Sequence, residues 1–302
     1  MQIFKNYPNI TVVFACLFWG TYWIPLRYID ENNQSSVWPI FLSFAILSIT
    51  LFKPLIISFK ESFFKKNYFF LIGCFFAALA ISLYSESLLR GEIAKVVVLF
   101  YLCPIWGTIL AKIFLKQFFT IKRVISVILG ILGLEIIVGI EKGIFLPSSL
   151  VEWIALFAGV SWAISMTYFN LAKSTSALQK TSLTTFMIPF IFLCLCLVPG
   201  GRSFTITPSL LNFDIIYVWI VLFSVLWLLP SILLTYFSVE TLDPGRINIL
   251  LAFEVVVGIT SSSLLTQENI GIRELLGAAL VISACFVDVI SLNKKKNRNY
   301  NN

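Results

Sequence analysis

Long runs of apolar residues, separated by short polar stretches, dominate the chain. Each run approaches the roughly 20 residues that a helix needs to cross a bilayer. Within a run the apolar residues are continuous and do not alternate with polar ones, which favours helices over the strands of a barrel. The pattern predicts an all-α integral membrane protein with ten transmembrane helices, at about 10–29, 37–58, 68–89, 93–115, 124–141, 150–170, 181–199, 213–237, 245–265 and 272–290.

The second half of the chain repeats the first. If each half crosses the membrane five times, which is an odd number, the second copy starts from the opposite side. The sequence therefore predicts two inverted five-helix repeats, at 1–145 and 146–302, the second ending in a short basic tail. Two constant offsets carry the repeat: one aligns Leu99 with Leu250 and Gly107 with Gly258, and the other aligns Trp19 with Trp162 and Gly20 with Ala163.

Composition and charge agree with this architecture. With 59% hydrophobic and 12% charged residues and a mean hydropathy of +0.93, the chain is not a soluble globular protein. The net charge of +7 does not indicate nucleic acid, because most of the 22 Lys and Arg residues fall on one side of the membrane when the N-terminus is placed in the cytoplasm. This bias predicts a multi-pass protein with both termini cytoplasmic. The basic run Lys294–Arg298 would then contact anionic lipid.

Several kinds of chemistry have no residues to support them. The chain contains no histidine, which excludes histidine metal sites and Ser-His nucleophiles. It has no glycine-rich nucleotide loop. The six cysteines all fall inside apolar runs, as buried thiols do. We therefore expect no enzyme, no cofactor and no metal, and any transport would draw on a substrate gradient or a coupled ion such as a proton.

Polar side chains inside the apolar runs point to a cavity. Glu254 lies near the middle of the ninth run, where an ionised side chain facing lipid costs about 2.5–3.5 kcal/mol or more. Hydroxyl and aromatic side chains recur at helical spacing in other runs, which predicts a central cavity for an amphipathic solute. Ser and Thr that bond to their own helix, and Trp and Tyr at the membrane interface, are the alternatives. The candidate lining is Trp19, Tyr22, Trp23, Tyr101, Trp162, Ser165, Trp227, Ser231 and Glu254.

Small residues and prolines predict how the helices pack and bend. Ala155, Gly159 and Ala163 recur at four-residue intervals, which is typical of close helix packing in membranes. Glycines in the fifth run and alanines in the tenth form similar surfaces, and these two helices lie either at the bundle periphery or at a homodimer face. The four prolines inside predicted helices are each expected either to bend a moving helix or to form a static kink: Pro25, Pro104, Pro189 and Pro230.

The chain resembles the drug/metabolite transporter superfamily, specifically its ten-helix EamA-type bacterial permeases. The segment Phe18–Arg27, with its Trp-Gly pair, is similar to the first helix of the family, and Leu99–Trp106 to the core of its fourth helix. Ser161–Ala163 repeats the first motif. Thr266–Glu268 followed by Ile272–Gly277 resembles the turn before the last helix. The resemblance covers nearly the whole chain.

Two positions depart from the pattern of the family. Gln117 stands where the first repeat usually has a glutamate, and Glu254 lies where an apolar residue is common.

The resemblance implies a secondary carrier in the bacterial inner membrane that exports or exchanges amino acids or related nitrogen compounds by alternating access. A multidrug efflux pump for cationic compounds is the alternative within the same fold. A membrane-embedded enzyme or lipid-handling protein is a third class, against which the absence of histidine argues.

Overall fold

The chain folds into a bundle of helices in the computed structural model, which describes residues 7–32, 36–91, 93–116, 120–138, 147, 149–172, 174–197, 215–242, 244–266 and 271–299. The α-helices of the first half are α1 (Pro8–Gly20), α2 (Trp23–Glu31), α3 (Trp38–Thr50), α4 (Phe52–Phe59), α5 (Tyr68–Arg90), α6 (Ile93–Phe100), α7 (Cys103–Leu115) and α8 (Ile121–Val138). Those of the second half are α9 (Leu150–Leu171), α10 (Ala177–Cys196), α11 (Ile215–Leu222), α12 (Leu229–Val239), α13 (Pro244–Leu251), α14 (Phe253–Thr266) and α15 (Ile272–Asn299). Lys60–Phe64 and Phe223–Leu228 are π-helical.

Each of the ten predicted apolar runs contains helix, so we number these runs segments 1 to 10. In the described residues, five helices are long and apolar enough to cross a membrane: Pro8–Glu31, Tyr68–Arg90, Leu150–Leu171, Ala177–Cys196 and Ile215–Val239. A sixth is reached if α3 and the helix that follows it, bent by 81° from one another, form one broken span. The all-helical prediction is therefore confirmed, whereas the count of ten spans stays a prediction.

Prolines coincide with several of the helix breaks. Because proline has no N–H and its ring crowds the carbonyl four residues earlier, a helix tends to open just before it. Pro25 follows the break between α1 and α2, and Pro104 follows the break between α6 and α7. Pro230 is the second residue of α12, which begins directly after the π-helical turn, whereas Pro189 stays inside a continuous α10. The break at Ala252, between α13 and α14, has no proline to explain it.

The packing of the segments has a two-fold pattern. A contact between two segments recurs when each segment n is exchanged for its repeat partner, segment n+5, and each segment n+5 for segment n. Segment 3 packs along segment 6, and segment 8 correspondingly packs along segment 1. Segment 4 packs on segment 6 as segment 9 packs on segment 1. Segments 5 and 10, which exchange with one another, form one of the most extensive helix pairs of the described bundle. The two halves therefore make equivalent contacts.

Segments that exchange with one another run antiparallel where they pack together. Along α8 and α15, rising residue numbers in one helix meet falling numbers in the other, and the same holds for segments 2 and 7. This is the relation that an inverted repeat requires, because copies with parallel topology would place equivalent helices side by side in the same direction. The contacts are Gly130 with Ala284 and Gly133 with Val281, and Ser58 with Ser182 and Phe44 with Phe192.

The predicted small-residue stripe of α9 is confirmed as a packing surface. Ala155 and Ala163 are fully buried, and a Cβ added to Gly159 would lie 2.5 Å from the carbonyl oxygen of Phe100. This close approach holds α9 against the end of α6. Gln117 and Glu268, which the sequence aligns between the repeats, lie outside the described residues.

Candidate functional site

Glu254 lies at the centre of the bundle and accepts two phenolic hydrogen bonds. The hydroxyl of Tyr84 donates to Oε1 over 3.0 Å, and the hydroxyl of Tyr101 donates to Oε2. The side chain of Glu254 is only 4% exposed. It stands in the first turn of α14, where the positive end of the helix dipole favours a carboxylate. Both tyrosines belong to the first half of the chain, so this site forms only where the halves meet.

A small cavity opens beside the Glu254 carboxyl. Its walls are mainly aromatic, and the open space at its centre is about the size of one water molecule. The rings of Trp19 and Trp162 approach edge to face with centroids 6.1 Å apart, and the ring of Phe100 lies 4.4 Å from that of Tyr84. The residues that line this cavity are Trp19, Ala80, Ile81, Tyr84, Phe100, Tyr101, Trp162, Leu251 and Glu254.

The helix breaks position the polar groups of the cavity. Tyr101 lies in the turn between α6 and α7, where the approach of Pro104 ends regular helix, and Glu254 follows the corresponding break at Ala252. The sequence repeat aligns Tyr101 with Ala252, so the two breaks are equivalent positions of the two halves. Two interrupted helices, one from each half, thus meet at the Glu254 carboxyl group and run in opposite directions.

Four of the predicted site residues are brought together around this cavity: Trp19, Tyr101, Trp162 and Glu254. A fifth, Trp23, lines an adjoining space that also reaches Glu254 and includes Val97 and Gly258. The indole N–H of Trp23 donates to the hydroxyl of Ser261 over 3.1 Å. The predicted role of these residues in binding a solute stays a prediction.

The remaining four predicted site residues do not line this cavity. The Tyr22 hydroxyl is hydrogen-bonded to Ser85 at 2.7 Å in a fully buried position. Trp227 lies away from the cavity and donates to the hydroxyl of Thr21 over 3.1 Å, and Ser231 donates back to the Trp227 carbonyl. Ser165 is fully buried one helical turn beyond Trp162. The Ser231 hydroxyl therefore bonds to its own helix, and its role in binding a solute stays a prediction.

Sequence reasoning missed Tyr84 and Phe100. Tyr84 is followed by Ser85, Glu86 and Ser87, a polar run in which Glu86 is the most strongly polar residue. In the structure Glu86 instead pairs with Arg90 at 3.3 Å, near the end of α5. The available signal was a tyrosine directly before a polar run, six residues from the end of a long apolar helix.

We expect loss of a phenolic donor to destabilise the site. Tyr101→Phe leaves one carboxylate oxygen of Glu254 without its donor, and a hydrogen bond to a charged group contributes about 1.5–3 kcal/mol. The melting temperature of the purified protein in detergent should fall. Tyr68→Phe is the control, since Tyr68 is 60% exposed at the start of α5 and should leave the melting temperature unchanged. Equal melting temperatures for the Tyr101 variant and the unaltered protein would contradict the assigned hydrogen bond.

In the described part of the chain, no group of three Cys, Asp or Glu side chains lies close enough to hold a metal ion. Three of the described cysteines, Cys16, Cys74 and Cys103, are buried free thiols, whereas Cys194 is exposed and Cys196 is half-buried. The Cys16 thiol donates weakly to the carbonyl oxygens of Leu250 and Leu251, at 3.5 and 3.7 Å. The arrangement is therefore one of a single acid among phenols and aromatic rings, which suits binding of a cation or a proton more than covalent chemistry.

Comparison with known proteins agrees with the fold. The model of the EamA-like transporter family matches the chain twice, at residues 7–139 and 149–289. Among the 29 matching chains of solved structures, one described only as a protein crystal structure has a TM-score of 0.65 at 13% sequence identity. That match covers 93% of this chain and 96% of the other. No curated protein sequence matches the chain. Because the family model covers nearly the whole sequence, the chain belongs to the EamA-like transporter family, a family of membrane transporters.

Proposed function

We propose that this protein is a secondary transporter that exports or exchanges a small amphipathic metabolite bearing an amine, most simply an amino acid or a related nitrogen compound. The observation that carries the proposal is the Glu254 carboxyl group, buried at the junction of the two halves and surrounded by aromatic rings. An ammonium group is attracted both to a carboxylate and to the faces of Trp and Tyr rings. Among the described side chains that line the cavity there is no Lys or Arg to neutralise the acid.

Alternating access supplies the mechanism. We propose that the ten segments cross the membrane as an inverted repeat and that the halves rock about the cavity. The exchange pattern of helix contacts and the antiparallel run of segments 5 and 10 support this. Since the space beside Glu254 holds about one water molecule, the helices must separate on one side before a metabolite can enter.

The same carboxyl group is the candidate site for a coupling proton. Among the described side chains, the titratable groups near it include the phenols of Tyr84 and Tyr101 and the thiols of Cys16 and Cys103. A proton and an ammonium group would compete for one carboxylate, which would couple their movements. We place the protein in the bacterial inner membrane with both termini cytoplasmic, following the distribution of Lys and Arg. A homodimer through segments 5 and 10 is not needed for this mechanism.

A multidrug efflux pump for hydrophobic cations is the alternative function. It would use the same acid and rings, but a bulky cation requires a wide binding space. The edge-to-face contact of Trp19 with Trp162, with ring centroids 6.1 Å apart, narrows the cavity and favours a small solute.

Counterflow in proteoliposomes tests the proposal. Vesicles loaded with one unlabelled amino acid or amine at a time should accumulate the same radiolabelled compound for at least one member of the panel, with saturable kinetics. Competition by bulky hydrophobic cations, without saturable exchange of any amino acid or small amine, would favour the efflux pump. Absence of saturable exchange for both groups of compounds would contradict the proposed function.

A further inference from the structure

Four buried polar side chains near the cavity have at least one polar atom with no hydrogen-bond partner. They are Thr108 on α7, Trp162 and Ser165 on α9, and Asn248 on α13. Asn248 and Ser165 are fully buried, and both polar atoms of the Asn248 carboxamide lack partners. Buried polar groups in proteins are almost always paired, so unpaired groups on three helices that pack against one another need an explanation.

Ser165 and Asn248 lie on the same helix faces as residues that line the cavity. Ser165 lies three residues after Trp162, and Asn248 lies three residues before Leu251, so each shares a helix face with a residue that lines the cavity. Asn248 precedes Glu254 by six residues, which corresponds to about 9 Å along a helix.

Contacts between helices place Thr108 and Ser165 at a similar depth. The segment that contains α6 and α7 runs parallel to α9, because Phe100 meets Gly159 at one level and the rings of Phe114 and Tyr168 lie 6.0 Å apart at a later one. Thr108 and Ser165 both fall between these two contacts. The unpaired groups therefore lie together on the side of Glu254 that is cytoplasmic in the proposed topology.

Hydrogen bonds join several helices on the opposite side of Glu254. The indole of Trp23 donates to Ser261, and the hydroxyl of Ser261 donates to the carbonyl oxygen of Gly20 over 3.3 Å. The guanidinium of Arg27 donates to the carbonyl oxygens of Leu88 and Gly91. Hydrogen bonds also join helices on the inner side, where the Cys16 thiol donates to the carbonyl oxygens of Leu250 and Leu251 and the Arg246 guanidinium donates to Asn9. The unpaired side chains of α7, α9 and α13 lie beside these bonds and take no part in them.

We propose that α7, α9 and α13 line the cytoplasmic entrance to the cavity, and that Thr108, Ser165 and Asn248 form a subsite there for uncharged hydrogen-bonding groups. When the three helices separate, water or a hydroxyl or amide group of the solute supplies the hydrogen bonds that these side chains lack. Because closure of this side leaves these three side chains unpaired, opening of the unloaded protein toward the cytoplasm is favoured. The subsite rests on the proposed transport function and adds the side of loading to it.

Thiol labelling tests the entrance without any substrate. Asn248→Cys and Ser165→Cys should react with a membrane-impermeant maleimide in inside-out vesicles about tenfold faster than Thr185→Cys, whose fully buried hydroxyl bonds to its own helix. Peptide mass spectrometry separates the introduced thiols from the six native cysteines. In right-side-out vesicles the two variants should be protected. Labelling no faster than that of Thr185→Cys, or labelling only from the outer face, would overturn the proposal.

Asn248→Leu provides a second test that does not depend on labelling. Leucine has no polar atoms and a volume similar to that of asparagine. When the cytoplasmic side is closed, this variant has no unpaired carboxamide, so its melting temperature should equal or exceed that of the unaltered protein. Counterflow by this variant should fall about tenfold, since loading from the cytoplasm loses a hydrogen-bonding group. A lower melting temperature, or full counterflow, would overturn the subsite. If the introduced thiols were labelled from the cytoplasmic side but the protein exchanged no tested solute, the proposed substrate class would be contradicted and the cytoplasmic entrance would still be supported.

Discussion

Replacing Glu254 by Gln will abolish saturable exchange while the protein still folds. The amide keeps the size of the side chain and can still bond to both tyrosines, but it carries no charge to attract an ammonium group and cannot release a proton. Removing one partner of a buried charge pair costs about 2–5 kcal/mol, which is a loss of about thirtyfold or more in affinity. Counterflow in proteoliposomes at several pH values measures the effect.

The matched control for this variant is Glu86→Gln. Glu86 is also an acid within the bundle, but it pairs with Arg90 near the end of α5 and does not line the cavity. Its exchange rate should stay close to that of the unaltered protein. If the Glu254 variant exchanged solute normally across the pH range, Glu254 would be a structural residue and the proposed binding role would be wrong.

A single methyl group at Gly159 should prevent normal folding. In Gly159→Ala the new Cβ would lie 2.5 Å from the backbone carbonyl of Phe100, and a backbone atom cannot move aside as the end of a flexible side chain can. Overpacking of this kind costs about 1–3 kcal/mol. The contact also sets the position of Tyr101, one residue beyond Phe100. We expect a lower yield of monodisperse protein in detergent and a lower melting temperature.

Gly130→Ala is the control for Gly159→Ala. The nearest atom to a Cβ at Gly130 is the Cβ of Ala284, at an ordinary 3.8 Å, so alanine fits there without displacement. Since alanine favours helix over glycine by up to about 1 kcal/mol, this variant should be as stable as the unaltered protein or more so. Equal melting temperatures for the two alanine variants would show that the tight contact of α9 with α6 is not formed.

The helical bundle and its central acid could be predicted from the sequence because both follow from the cost of polar groups in lipid. Continuous apolar runs specify helices, and Glu254 is too costly to face hydrocarbon. The repeat offset aligns Tyr101 with Ala252, but the helix breaks at these two positions are seen only in the structure. The number of runs that cross the membrane depends on how the helices tilt and break, which composition does not determine.

Trp227 lies inside the π-helical turn Phe223–Leu228, whereas Ser231 lies beyond it in the regular helix α12, so helix geometry accounts for the position of Trp227 only. In a regular helix they would share a face with Thr235, which does reach the site and accepts a hydrogen bond from Trp19 over 3.1 Å. The π-helical turn Phe223–Leu228 adds a residue to the turn and rotates the preceding part of the helix. Spacing at i and i+4 predicts a common face only where the helix is regular. The sequence of α11 and of the turn that follows it contains no residue that predicts the π-helical geometry.

The two halves contribute unlike groups to the Glu254 site. The acid, Glu254, comes from the second half, and the residue aligned with it in the first half is Cys103. The phenol of Tyr101 comes from the first half, and the residue aligned with it in the second half is Ala252. A pocket built from identical copies would accept a solute equally well in two poses related by the two-fold axis. Here a molecule with a distinct head and tail has one preferred pose, and selection between its mirror-image forms becomes achievable.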